Sequence, residues 1–258
     1  METLADITVT MRLCEHFPHA PVLDHVLVND FLRQRLGIQL LCDHYIALNK
    51  GKPSGGISLN CAFHDILTDA IQESKHICDA NFGIAPNVYI SHEDNTSRIK
   101  LHLIRPWVHH AIVELLKNAM TSSIQRDPFH PLDIYVEVDE CHHKNTLKCK
   151  ILDQGKGLKN IDEAFTFGFS SIQQKWDRLE EQQSYATVRP PIASLGVGLP
   201  ISTMMMRMFG GNIHLERRTS GYQVSDHSLQ SDRLDSGITA ELHLPFSIDI
   251  EEWSSCIK

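Results

Sequence analysis

The chain changes its hydrophobic period near Pro86, and that change limits what it can fold into. Before it, apolar residues recur at three- and four-residue steps, as on a helix; after it, several short runs alternate apolar and polar, as on half-buried strands. Residues 28–49 carry Phe31, Leu32, Leu36, Ile38, Leu41, Tyr45 and Leu48, which predicts a helix with a broad apolar face. KGKPSGG at 50–56 breaks that helix, and a second helical pattern covers about 61–81. The β-branched runs are 88–90, 100–103, 134–138, 147–152, 212–215 and 238–244. Helices are expected between them at about 107–124 and 198–209, and polar stretches at about 171–193 and 217–236 have the length of functional loops. The expected fold is α+β: a helical segment, then an α/β sandwich with helices on one face of a mixed sheet.

With 258 residues the chain lies between one large domain and two small ones, enough for a core without disulfides or metals. The charge is −8, and an acidic balance argues against nucleic acid as a partner. No apolar run reaches the roughly 18 residues of a membrane span. The seven cysteines are odd in number and lack a C-x-x-C pair, which fits reduced thiols in an intracellular compartment. Cys141-His142-His143 and Cys14-x-His16 have no second ligand pair at zinc spacing, so no metal is expected there. The N-terminus has Glu2 and Asp6 and one Arg in its first sixteen residues, a poor match to an import signal.

Chemistry is legible first in PWVHHAIVELLKNAM. Pro106 fits the start of a helix, and Val108, Ala111, Ile112, Leu115, Leu116 and Ala119 mark a buried side. His110, Glu114 and Asn118 step by four along its border. This is either an ordinary polar stripe or a site: Asn offers a neutral oxygen to a hard cation such as Mg²⁺, and Glu beside His can accept a proton. Asp153-Gln154-Gly155-Lys156-Gly157 follows a strand, 35 residues beyond Asn118. A carboxylate there can accept from the amine of adenine, and glycines let backbone approach a flat base, although D-x-G-x-G also describes a turn. An aromatic box, Phe165 to Ser171, comes next. Gly196-Val197-Gly198 then enters a helix, where backbone N–H groups and the helix dipole favour an anion. Gly237-Ile238-Thr239 opens the last strand.

The order E-x-x-x-N, D-x-G-x-G, aromatic box, G-x-G, G-x-T resembles the ATP-binding superfamily of gyrase, Hsp90, histidine kinases and MutL. The stretches FLRQRLGIQLLCDHYIAL, HHAIVELLKNAM, FGIAP and GVGLPIS further resemble the mitochondrial α-keto acid dehydrogenase kinases, over about 28–215 and again at 237–245. RLGIQLL leans towards the branched-chain member. The resemblance implies a GHKL (Bergerat) α/β sandwich over 83–258, preceded by a partial helical bundle at 1–82. It implies a serine kinase that uses Mg-ATP on the E1 component of a pyruvate or branched-chain dehydrogenase complex and inhibits it. The E2 lipoyl domain and a second copy of the chain are further implied partners, and the mitochondrial matrix is the implied location.

Residue by residue, Glu114 would be the general base, tuned by His110, and Asn118 would coordinate Mg²⁺. Lys117 and Thr121 would join Glu114 and Asn118 near the nucleotide. Asp153, with Gly155, Gly157 and Thr239, would hold adenine. Ser170 and Ser171 match a nucleotide-contacting pair. Ser194, Leu195, Gly196, Val197, Gly198 and Leu199 would cradle phosphates, so that transfer depends on positioning and charge neutralisation.

The chain departs from this family at several points. Gln154 and Lys156 stand within the usual Asp-Arg-Gly-Gly-Gly, Ser194 replaces the first glycine of G-x-G-x-G, and Thr121 replaces an arginine whose loss weakens phosphate binding. A polar insertion fills about 218–236, only the end of the family's helical bundle is expected, and the tail stops soon after Trp253. These departures leave a second reading, an ATP-binding regulatory protein with weak or no transfer. A histidine-kinase core is a third, but His44 is not followed by the acidic residue that such a phosphoacceptor needs. A MutL- or Hsp90-type ATPase would need transducer domains that 258 residues do not supply.

Overall fold

The computed structural model describes residues 25–92, 100–129, 133–141, 146–155, 157–158, 160–167, 169, 196–218 and 237–246. Helix α1 spans His25–Asn49, strand β1 Ser58–Ala62, helix α2 Phe63–Phe82, strand β2 Val88–His92 and strand β3 Lys100–Leu103. Helix α3 spans Arg105–Arg126, strand β4 Ile134–Cys141 and strand β5 Thr146–Leu152. A short 3-10 turn at Asp162–Phe165, helix α4 at Gly198–Arg207, strand β6 at Asn212–Arg217 and strand β7 at Ile238–Pro245 complete the described elements.

Five strands form one sheet in the order β2-β4-β5-β7-β6. β2 runs parallel to β4 and the remaining neighbours are antiparallel, so the sheet is mixed as the sequence predicts. Strand alternation gives it two chemically distinct faces. Val136, Ile151 and Ala240 lie side by side across β4, β5 and β7, as do Val138, Cys149, Leu242 and Ile213 across four strands; all are buried in the core with the helices. The other face carries the rows Glu137, Lys150, Glu241, His214 and Asp139, Lys148, His243, Asn212. Lys150 lies 3.5 Å from both Glu137 and Asp139, and Lys148 lies 3.3 Å from Glu241.

The core centres on α3. Pro106 sits in its first turn, and all six of its predicted apolar positions are buried. Burying a leucine or isoleucine of this kind contributes roughly 2 kcal/mol. α3 packs on α2, on α4 and across β5 and β7. α2 stops at Gly83, whose left-handed conformation lets its N–H bond the Asp79 carbonyl at 2.7 Å.

Two expectations change. Residues 61 and 62 belong to a strand, not to the second helix: β1 pairs antiparallel with β3 in a separate two-stranded ribbon. Asn60 there has φ +54 and the register shifts between Ser58 and Cys61, so the alternation that signals a strand is broken. The broad apolar face of α1 is also divided. Val28, Leu32, Leu36 and Leu40 are buried, whereas Leu27, Phe31, Ile38, Leu41, Tyr45 and Leu48 are 45–68% exposed.

Candidate active site

α3 runs under the site and presents its polar stripe at the start of α4. His110 and Glu114 are half-buried and Asn118 is exposed. Lys117 Nζ donates to Glu114 Oε1 at 2.6 Å, and the two side chains keep only 18% and 13% of their exposure. The other oxygen of Glu114 faces Gly198 so closely that a Cβ there would overlap it. The E-x-x-x-N helix and the G-x-G loop therefore meet. Gly196 is left-handed at φ +68, Val197 caps α4, and Leu199 is buried behind the loop. The first N–H groups of α4 and its positive dipole end thus lie beside Glu114, as an anion cradle requires.

Burial lowers the pKa of His110, and Lys117 and His109 add to the fall, while Glu114 and Glu73 oppose it. The imidazole is therefore neutral at pH 7.

The second half of the site is the turn after β5. Asp153 is 6% exposed. Burial pushes its carboxyl up to about 6, against the pull of N–H groups of Gly155 and Ile238, of Arg218 and of the Ser122 hydroxyl. Gly155 N–H donates to Asp153 Oδ1 at 2.7 Å. A side chain on Gly155 would run into Ser122 of α3, which explains the glycine. Thr239 is buried on β7 opposite Leu152, and left-handed Gly157 lies near Gly237. Asp153, Gly155, Gly157 and Thr239 thus form one wall. Thr121 is buried on α3 one residue before Ser122.

Ser170, Ser171, Ser194 and Leu195 lie outside the described residues, as do Lys156, Trp253, Cys14, His16, His142, His143 and the N-terminal segment. Three participants carry no sequence signal for a site. Arg218 donates to the Asp153 carbonyl at 3.1 Å, Arg126 donates to the next carbonyl, that of Gln154, at 2.6 Å, and Ser122 reaches Asp153. A cavity of about 500 Å³ lies elsewhere, between α1, the 3-10 turn and α4, lined in part by Arg33, Phe165, Phe167 and Met204.

Among the described residues no three His, Cys, Asp or Glu side chains group so as to hold a metal ion. The exposed amide oxygen of Asn118, one helical turn from Glu114, is nonetheless a hard neutral donor of the kind that would suit Mg²⁺. No described helix is long and apolar enough to cross a membrane.

Residues 104–248, more than half of the chain, match the family of histidine kinase-, DNA gyrase B-, and HSP90-like ATPases. The chain belongs to this family. The match begins at the cap of α3 and ends just past β7, so both halves of the site fall inside it. Membership implies that the chain uses ATP. A protein of Schizosaccharomyces pombe named pyruvate dehydrogenase (acetyl-transferring) kinase, mitochondrial, is 26% identical over 203 residues, covering 74% of this chain and 46% of its own length. Isozyme 4 from Rhinolophus ferrumequinum is 26% identical over 86% of this chain and 57% of its own length. Human isozyme 4 is 28% identical over 74% of this chain and 47% of its own length. The chain spans about half the length of the curated relatives it matches.

Proposed function

We propose that this ATPase-family chain is a protein-serine kinase that uses Mg-ATP to phosphorylate, and so inhibit, the E1 component of an α-keto acid dehydrogenase complex. The observation that carries the reading is the Glu114 carboxylate held against Gly198, which sets a base beside an anion cradle. The names of the relatives favour pyruvate dehydrogenase over the branched-chain enzyme as substrate. In this proposal residues 83–258 are the ATP-binding domain and residues 1–82 part of a helical one. The E2 lipoyl domain, a second copy of the chain and a mitochondrial matrix location are further parts of it.

Asp153 and Thr239 orient adenine, and the N-terminus of α4 receives the phosphates. Mg²⁺, held through Asn118, would supply charge neutralisation on the triphosphate. Glu114 accepts the proton of the substrate serine hydroxyl as its oxygen bonds the γ-phosphorus; the bond to the β-phosphate oxygen breaks and ADP leaves. Neutral His110 adds no competing positive charge beside that base, and Lys117 fixes the carboxylate. The test is phosphate transfer from labelled ATP to purified E1. Wild type should label serine, while Asn118→Ala and Glu114→Gln should lose label by at least about a hundredfold. Equal labelling by all three overturns the proposal.

The second reading, ATP binding with little transfer, is favoured by the short Lys117–Glu114 contact, which occupies one oxygen of the base. It predicts calorimetric ATP binding with no label on E1.

A further inference from the structure

The helix that opens at Gly198 also carries a run of methionines, Met204-Met205-Met206 and then Met208. Helical spacing places two of them in opposite environments. Met206 shares the core side of α4 with Leu199 and Ser202 and is fully enclosed. Met204 is half-buried and stands with Pro200 and Arg207, at four- and three-residue steps, on the wall of the cavity of about 500 Å³. Phe165 and Phe167 line the same space, and exposed Asp30 of α1 stands across it. Met205 is half-buried but lies off that wall. A space of this size with polar residues on its wall admits water, and hydrogen peroxide is of similar size and polarity.

We infer that Met204 is a modification site: peroxide entering this cavity oxidises its thioether to the sulfoxide, and the added oxygen weakens nucleotide binding at the start of α4. The inference rests on the reading of that helix start as the phosphate cradle. The sulfur lone pair attacks one peroxide oxygen and the O–O bond breaks. That oxygen stays on sulfur, the other leaves as water with both hydrogens, and sulfur gives up the two electrons that peroxide gains.

The consequence follows from how α4 is held. It is ten residues long and packs on α3 and on the 3-10 turn that carries Phe165. A thioether is a soft, apolar partner for aromatic rings, whereas a sulfoxide is polar and draws water or a donor to its oxygen. Oxidation at Met204 therefore loosens the contact with the 3-10 turn and leaves α4 free to shift. Its first turn has little room to do so without effect, because Gly198 lies directly against Glu114 Oε2. Met206 is the internal comparison, the same side chain two residues away with no surface open to the reagent.

The test treats the full chain with limiting hydrogen peroxide, then with dithiothreitol to reverse cysteine oxidation, and follows each methionine by peptide mass spectrometry. Calorimetry reads the binding of a non-hydrolysable Mg-ATP analogue before and after. Met204 should oxidise at least about tenfold faster than Met206. Affinity should then fall about fivefold or more in wild type and in Met205→Leu. Met204→Leu keeps the volume without the sulfur, so it should bind as wild type does before treatment and keep its affinity afterwards. Met204→Gln, confirmed as folded by circular dichroism, should show the loss without peroxide. Oxidation of Met204 no faster than that of Met206, or an equal loss of affinity in Met204→Leu, overturns the inference. An untreated wild type that binds no analogue overturns the cradle reading and the effect drawn from it, while the mass spectra still decide whether Met204 is the modified residue.

Discussion

The carboxylate of Glu114 lies against Gly198, so close that a Cβ there would overlap Oε2 and the Glu114 side chain would have to move. In the proposed mechanism this one contact sets the distance between base and phosphate cradle. Gly198→Ala should cost about 1–3 kcal/mol, the usual penalty for overpacking, and should weaken ATP binding by moving the first turn of α4. Urea unfolding measures the first effect and calorimetry the second. The double variant Glu114→Ala with Gly198→Ala should recover most of the stability, because the clash is with that side chain. No recovery would place the cost elsewhere.

Lys117 anchors the same carboxylate. Its bond to Glu114 is largely shielded from water, so Lys117→Met leaves a carboxylate that has lost its 2.6 Å donor. The expected loss is about 2 kcal/mol. Adding Glu114→Gln should return part of it, since the remaining group is neutral. A urea double-mutant cycle tests this, and additive single effects would show that the two side chains do not act as a pair.

What the sequence made legible follows periodicity. The strands, the central helix and the order of the site motifs all rest on patterns that survive in one dimension. β1 did not, because the left-handed Asn60 and the register shift break its alternation. Arg218 and Arg126 did not, because their roles come from contacts between the ends of three separate elements, and a lone arginine beside a polar loop carries no pattern. Glu114 and Asn118 were visible as a stripe. Their meaning came only from Gly198, 84 residues past Glu114.

α1 shows the same limit, and it yields a prediction within a single helix. Periodicity gives Leu36 and Ile38 equal weight, but Leu36 is 5% exposed and Ile38 59% exposed. Leu36→Ala should cost about 2–4 kcal/mol, as core leucine truncations do. Ile38→Ala should stay within about 0.5 kcal/mol. Thermal unfolding of the two variants separates them, and equal losses would mean that the outer stripe of α1 is covered in solution.

Asp153 sets stability and binding against each other. Its carboxyl lies near 3.8 when unfolded and at about 6 in the folded chain, so the folded state binds the proton more tightly. The stability tied to that proton is therefore fully present below pH 4 and is lost as pH rises through about 6, at most about 3 kcal/mol. In the proposed reading ATP binding runs the other way, because only the ionised carboxylate would accept from the adenine amine. Asp153→Asn removes the titration. The stability of wild type relative to Asp153→Asn should thus fall between pH 4 and 6, over the same range in which wild-type affinity for ATP rises. Urea unfolding at stepped pH, paired with calorimetry, checks both. A stability difference that stays flat across that window would show that Asp153 is not protonated more readily in the folded chain than in the unfolded one.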